Sequence, residues 1–191
     1  MDSHTYDSIV LGMGCFWGAE KRMAAIEGVI DVESGYAGGD DLHTDYHQVL
    51  DLEKHLRTGL AEKRNHAEVI KVTFDPEKVS LIEILAKFWE NHNPTQGDRQ
   101  GNDVGSNYRS AIYYHSEPQK HLAEHSKACY QKVLHTAGWP AITTEIAPLR
   151  HYNRAEEYHQ DYLQKHPHGY CGLGGTGIAF PLSECAAQLN D

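Results

Sequence analysis

The opening of the chain sets a strand, a tight turn and a helix in immediate succession. In "YDSIVLGMG" an apolar run, Tyr6 to Leu11, is stopped by glycines. "CFWGAEKRMAAIEG" follows at once, with Phe16, Ala19, Met23 and Ile26 at helical spacing and Gly28 as a stop beyond them. "VIDVESGYAGG" gives a second strand, Val29 to Gly35, ending in a glycine turn. A strand that passes straight into a helix and back into a strand buries its apolar faces by laying the helix on the sheet. Cys15 stands at the first junction. The first turn of a helix leaves N–H groups unpaired, and the positive end of its dipole favours a thiolate there.

The rest of the chain keeps the alternation. From Asp40 to Asn65 it is polar and mixed, with "QVLDLEKHLRTGLAEKR" offering a short helix. "AEVIKVTFDP" alternates as a strand and closes at Asp75-Pro76. Ser80 caps a helix running to about Glu90, with Glu83 at the capping-box position. "NHNPTQGDRQGNDVGSN" is a long loop, and such loops in compact domains are often functional. "YRSAIYYH" reads as a strand, "SEPQKHLAEHSKACYQKVLHTAG" as a helix with Pro118 in its first turn, and "AITTEIAPL" as a strand. "NRAEEYHQDYLQKHP" reads as a helix stopped by Pro167, and "HGYCGLGGTGIAFPLSECAAQLND" as a glycine-rich stretch without periodicity. With 191 residues, 40% of them hydrophobic, the chain can bury one good core.

Charge narrows the function. The net charge of −10 argues against a phosphate-backbone partner, and the positive residues of Lys54 to Arg64 are interspersed with glutamates. The start, "MDSHTYDS", is acidic rather than a basic leader, and no apolar run approaches a membrane span. A soluble, cytoplasmic protein is expected. The cysteines, Cys15, Cys129, Cys171 and Cys185, are too scattered for a secreted disulfide framework and show no CxxC spacing.

Two of the thiols stand in contexts that suit redox chemistry. Adjacent aromatics on a helix face different directions, so one of Phe16 and Trp17 is free to line a pocket beside Cys15. Cys171 lies in "GYCGLGGTG", whose glycines free the backbone to carry its sulfur towards Cys15. A nucleophile near the start and a mobile partner near the end meet the needs of a sulfenic acid with a resolving thiol.

Together, "GCFWGAE", "SGYAGG", "HAEVIKVTFDP", "PTQGDRQGNDVGSNYRSAIYY", "ITTEI" and "YHQDYLQKHPHGYCGLGGTG" resemble the peptide methionine sulfoxide reductase A family, over about Ile9 to Gly177. The resemblance implies an α+β two-layer sandwich with a ferredoxin-like core and a long irregular C-terminal tail. It implies one catalytic domain over residues 1–191, of which 166–191 is a mobile glycine-rich tail. Cys15 would attack the sulfoxide sulfur and become a sulfenic acid, with Phe16 and Trp17 holding the substrate methyl. Glu68 would donate a proton to the sulfoxide oxygen, Tyr46 and Tyr108 would hydrogen-bond it, and Asp103 would help build the substrate site. Cys171 would then form a disulfide with Cys15 for thioredoxin to reduce. No cofactor or metal is implied beyond thioredoxin as electron donor. The substrate would be the S epimer of methionine sulfoxide, free or in oxidised peptides and proteins, and the chain is taken as a monomer. The chemistry fits these residue types, because a sulfoxide oxygen leaves only when protonated and a carboxylic acid among apolar groups keeps its proton at neutral pH.

The chain departs from the family's pattern in places. Extra residues follow Val49, in "LDLEKHLRTGLAEKRN", where a short glycine-containing turn is usual. They are expected at the rim of the site. "HNP" stands for the usual "HDP", and Asn107 for a usual glutamine. Ala179 and Phe180 occupy the region of a second recycling cysteine, so Cys185 is a candidate for a displaced one, and Cys129 is read as a packing residue. Two rival readings stand beside this one, the first competing in turn with a plain solvated helix face. His121, His125 and Cys129 recur at i, i+4 and i+8 on one helix face and suggest a metal; a two-cysteine peroxide reductase would also need a sulfenate and a resolving thiol. A non-catalytic binding module accounts least well for paired thiols with an acid between them.

Overall fold

A computed structural model describes residues 5–169 and 174–189. In chain order the elements are β1 (Asp7–Met13), α1 (Phe16–Ala24), β2 (Val29–Ala37), α2 (Tyr46–Arg57), β3 (Ala67–Phe74), α3 (Leu81–Glu90), β4 (Arg99–Gln100), β5 (Asp103–Val104), β6 (Ser110–Tyr114), α4 (Glu117–Thr136), β7 (Glu145–Pro148), β8 (Asn153–Arg154), α5 (Tyr162–Lys165) and α6 (Leu182–Gln188). Short 3-10 turns occupy Ser106–Tyr108 and Glu157–His159. The result is a mixed α/β fold.

The main sheet runs β7-β6-β1-β3-β2-β8, and β4 pairs only with β5. Strand β1 is antiparallel to both neighbours, and β6 and β7 are parallel. Both edges of β1 are paired and both its faces are buried, so its apolar residues split by alternation between two clusters. Ile9, Leu11 and Met13 join Ile70, Val72 and Phe74 of β3 in the principal core with Met23, Leu85, Phe88, Trp89 and Tyr130 from α1, α3 and α4. Val10 points the other way, into a smaller cluster with Ala37, Ala67, Val69, Ala111 and Tyr113. At the end of β1, Gly14 takes φ +97°, a conformation that side chains rarely tolerate, and turns the chain into α1.

The polar stretch after Asp40 holds the expected helix, α2, capped where the Asp45 side chain accepts from the Gln48 N–H at 2.9 Å. It is held by few apolar contacts, with Val49 and Leu52 buried, which is why its periodicity is faint. The expectations for the stretch before Pro167, the C-terminal stretch and Cys129 need correction. The stretch read as a helix before Pro167 contains β8, a 3-10 turn and only the short α5. There Gln160 turns inward, accepting from the Ser34 N–H at 3.0 Å and donating to Ser34 O at 2.9 Å, and Asp161 takes φ +52°. Tertiary pairing with the edge of β2 overrides the helical pattern.

The C-terminal stretch, expected to be irregular, ends in α6. Tyr130 donates its hydroxyl to Ile178 O at 2.8 Å, and the Phe180 N–H donates to Glu90 Oε2 at 2.9 Å. Phe180 and Cys185 are buried, and Cys185 forms a disulfide with Cys129 on α4. Cys129 is therefore not a packing thiol, and Cys185 is already partnered. Among the described residues, no helix is long and apolar enough to cross a membrane.

Candidate active site

Cys15 is the residue before the first turn of α1, and its own side chain does not cap that helix. The backbone N–H groups of Trp17 and Gly18 favour its thiolate, as the sequence suggests. Burial outweighs them: desolvation, helped by the neighbouring Glu68 carboxylate, pushes the Cys15 thiol up to about 12. Burial thus overrides the helix start, and Cys15 rests as a thiol.

A small cavity of about 110 Å³ opens at the sulfur, lined by Cys15, Phe16, Trp17, Tyr46, Glu68, Asp103, Tyr108 and His159. Elements far apart in sequence supply them. Phe16 and Trp17 begin α1, Tyr46 begins α2, Glu68 lies in β3, Asp103 in β5 and Tyr108 in the 3-10 turn that follows. Phe16 is buried in the core while Trp17 is only partly covered, the divergence that adjacent helix positions require.

Glu68 is 3% exposed. Burial first, then the charge of Asp103, pushes its carboxyl up to about 8, against the opposing Phe16 N–H and Asn107 side chain. At neutral pH it is a carboxylic acid. Phe16 N–H donates to Glu68 Oε1 at 3.4 Å, which leaves the other oxygen to carry the proton. Burial and the Glu68 charge push the phenols of Tyr46 and Tyr108 upward too, so both remain hydrogen-bond donors. The cavity therefore joins one thiol, one neutral acid and two phenolic donors to an apolar wall. That set can protonate and bind an oxygen while a sulfur attacks beside it.

His159 was not singled out in the sequence. It is 2% exposed, accepts from the Trp17 indole N–H through Nδ1 at 3.1 Å, and lies 5.0 Å from Phe16 and 4.8 Å from Tyr46 between ring centroids. Burial lowers its pKa, so it is neutral with its proton on Nε2. The only sequence signal was its place in "YHQDY"; its role depends on Gln160 anchoring that segment to β2. On the outer side, Tyr162 stacks on Trp17 with centroids 3.7 Å apart. Glu156 accepts from the Tyr46 N–H at 3.2 Å and from the hydroxyls of Tyr36 and Tyr158 at 3.1 and 3.0 Å. Burial alone would raise Glu156, but these bonds hold it below the usual carboxylate range.

The residues after Val49, expected at the rim of the site, hold the loop beside it. Glu53 of α2 accepts from the Ser106 N–H at 2.8 Å, the Ser106 hydroxyl at 2.6 Å and the Asn65 amide at 3.0 Å. Arg57 donates to Val104 O at 2.7 Å. Helix α2 thus grips the loop that carries Asp103 and Tyr108.

Cys171 lies outside the described residues. Cys185 is bonded to Cys129, and the groove beside that pair shares no lining residue with the cavity at Cys15. Among the described residues, the His, Cys, Asp or Glu donors close enough to share an ion are His125, Cys129 and Cys185, away from this site.

Residues 7–177 match the family model described as peptide methionine sulfoxide reductase. Over 173 residues the chain is 52% identical to the peptide methionine sulfoxide reductase MsrA of Vibrio cholerae serotype O1, a match covering 91% of this chain and 77% of that one. The structure of methionine sulfoxide reductase A of Corynebacterium diphtheriae is similar with a TM-score of 0.74 and 39% identity, covering 93% of this chain and 82% of that one. Mxr1 from Saccharomyces cerevisiae in reduced form is similar with a TM-score of 0.74 and 31% identity, over 90% of this chain and 91% of that one.

Proposed function

Because the chain belongs to the peptide methionine sulfoxide reductase family, we infer that it reduces methionine S-sulfoxide, free or within peptides and proteins, to methionine. One observation carries this reading: a protonated carboxyl and a thiol share a small cavity walled by aromatic rings. The substrate methyl rests against Phe16 and Trp17, and its oxygen faces Glu68, Tyr46 and Tyr108, with Asp103 completing the wall. Glu68 gives its proton to the oxygen as the Cys15 sulfur attacks, and the resulting carboxylate takes up the thiol proton. The substrate S–O bond breaks, an S–O bond forms on Cys15, and two electrons pass to the product thioether. Cys15 is left as a sulfenic acid.

Cys171 then attacks that sulfur, water leaves and a Cys15–Cys171 disulfide remains for thioredoxin to reduce. In this reading residues 1–191 act as one catalytic domain, monomeric and cytoplasmic, with a tail from residue 166 that brings Cys171 inward. No prosthetic group takes part. The strand order β6-β1-β3-β2, with α1 and α3 as the connecting helices, supports a ferredoxin-like core in a two-layer sandwich.

The test compares the two epimers at sulfur and hydrogen peroxide as substrates. Exchanging the epimer places the oxygen against Phe16 and Trp17 as an unpaired, desolvated acceptor, at a cost of about 1–3 kcal/mol or more. Turnover of the S epimer alone is expected. Comparable rates on both epimers, or faster turnover of peroxide, would overturn the assignment.

A further inference from the structure

Helices α4 and α6 bring His125, Cys129 and Cys185 together, their donor atoms all within 4.8 Å of one another. The two cysteines are joined by a disulfide, with Cα atoms 6.0 Å apart. His125 Nε2 stands 3.7 Å from the Cys129 sulfur and 2.9 Å from Cys185 O. A carbonyl only accepts, so in the disulfide form the ring proton is on Nε2. The group borders a groove of about 460 Å³ that Glu184 also lines.

We propose that, when the Cys129–Cys185 bond is reduced, His125, Cys129 and Cys185 form a metal site for zinc or a similar thiolate-seeking divalent cation. The donor set is the first argument, since two thiolates and an imidazole select such ions over magnesium or calcium. Geometry is the second. Zinc–sulfur and zinc–nitrogen bonds of about 2.3 and 2.0–2.1 Å put sulfur and nitrogen about 3.6 Å apart in a tetrahedral site, and Cys129 and His125 already stand 3.7 Å apart. His125 and Cys129 are one helical turn apart, and Cys185 comes from a second helix, which closes the set from the other side. The open groove leaves a fourth position to water.

The site differs from the His121–His125–Cys129 face suggested by the sequence. Residues eight apart on a helix are separated by about 12 Å along its axis, too far to share one ion. His121 stacks near His125, with centroids 6.4 Å apart, and α6 supplies the missing ligand instead. A reducing compartment favours the dithiol form of such a pair. Reduction by a phosphine delivers two electrons, two protons complete the two thiols, and the phosphine leaves as its oxide with oxygen from water. Each thiol releases its proton to solvent on binding the cation, and the His125 proton moves from Nε2 to Nδ1.

The test titrates Co²⁺ into the full chain carrying Cys15→Ser and Cys171→Ser, so that Cys129 and Cys185 are the remaining thiols, held reduced by a phosphine. One Co²⁺ per chain is expected, with thiolate-to-cobalt charge-transfer absorption that Zn²⁺ abolishes by displacement. The same chain left oxidised should give no such absorption. Adding Cys185→Ser should remove the charge-transfer band seen for the pair. His125→Ala should weaken binding at least as much as loss of an outer-shell partner does, about 10–100-fold. Because His125 is only half-buried, that variant remains informative even where Cys185→Ser does not fold. Absence of the band in the reduced chain, equal binding by the disulfide form, or unchanged affinity in His125→Ala overturns the proposal.

Discussion

The backbone N–H of Phe16 donates to Glu68 Oε1 across 3.4 Å, joining the residue after Cys15 to the carboxyl group buried beside it. An uncapped helix start has N–H groups to give away, and here one of them holds a carboxyl group. The same turn therefore presents the Cys15 sulfur and orients Glu68. The register of β2 on β3 sets the carboxyl from behind, with Tyr36 directly across from Glu68.

That arrangement predicts a pH profile. Glu68 titrates at about 8, so sulfoxide reduction should hold steady through neutral pH and fall above it, by about tenfold per unit once the proton is lost. The sign for stability follows. A folded-state pKa raised above the ordinary 4.5 contributes stability that is fully present below 4.5 and is lost as pH rises through about 8. Glu68→Gln keeps the shape and removes the proton, so it should slow reduction ~10²-fold and abolish the alkaline limb. Initial rates against pH for both forms decide it, and a Gln variant working at the parent rate removes Glu68 from its role.

Glu53 should matter without touching substrate. Glu53→Ala leaves the Ser106 N–H and hydroxyl without their acceptor, a loss of about 1–3 kcal/mol, and frees the loop that carries Asp103 and Tyr108. Burial alone would raise its pKa, but the bonds from Ser106 and Asn65 lower it. Its stability contribution is therefore present above the ordinary carboxylate range and fades as pH falls through the lowered folded value. Urea unfolding midpoints of parent and variant should differ at pH 7 and converge in acid. A difference that grew in acid would contradict the clamp.

The legible parts were those fixed by local pattern. Cys15 could be placed because a strand, Gly14 and a helix follow one another without a gap, and the Ser80 cap and Pro118 marked α3 and α4; in the structure the Ser80 and Ser116 hydroxyls accept from the Glu83 and Gln119 N–H. What could not be read depends on distant partners. Gln160 pairs with Ser34 across 126 residues, and this pairing, not helical periodicity, places His159 against Trp17. Cys129 and Cys185 are 56 residues apart, and nothing local signals that α6 returns to α4. The ionisation of Cys15 was illegible for a related reason: the helix end is visible in sequence, whereas the burial that outweighs it is not.

The order of the recycling step follows from where the other thiols lie. Cys185 is bonded to Cys129 and buried between α6 and α4, so reaching Cys15 would require breaking that bond and lifting α6 from its seat. Cys171, in its glycine-flanked "GYCG" context, carries no such requirement in the sequence. Cys171→Ser should thus complete one turnover, because sulfoxide reduction precedes resolution, and then fail to cycle with thioredoxin. Cys185→Ser should keep cycling, since it leaves both Cys15 and Cys171 in place. Product per enzyme is followed over time, with and without thioredoxin, for each variant. A Cys171→Ser protein that cycles normally would mean that Cys185 leaves Cys129 and acts as the resolving thiol.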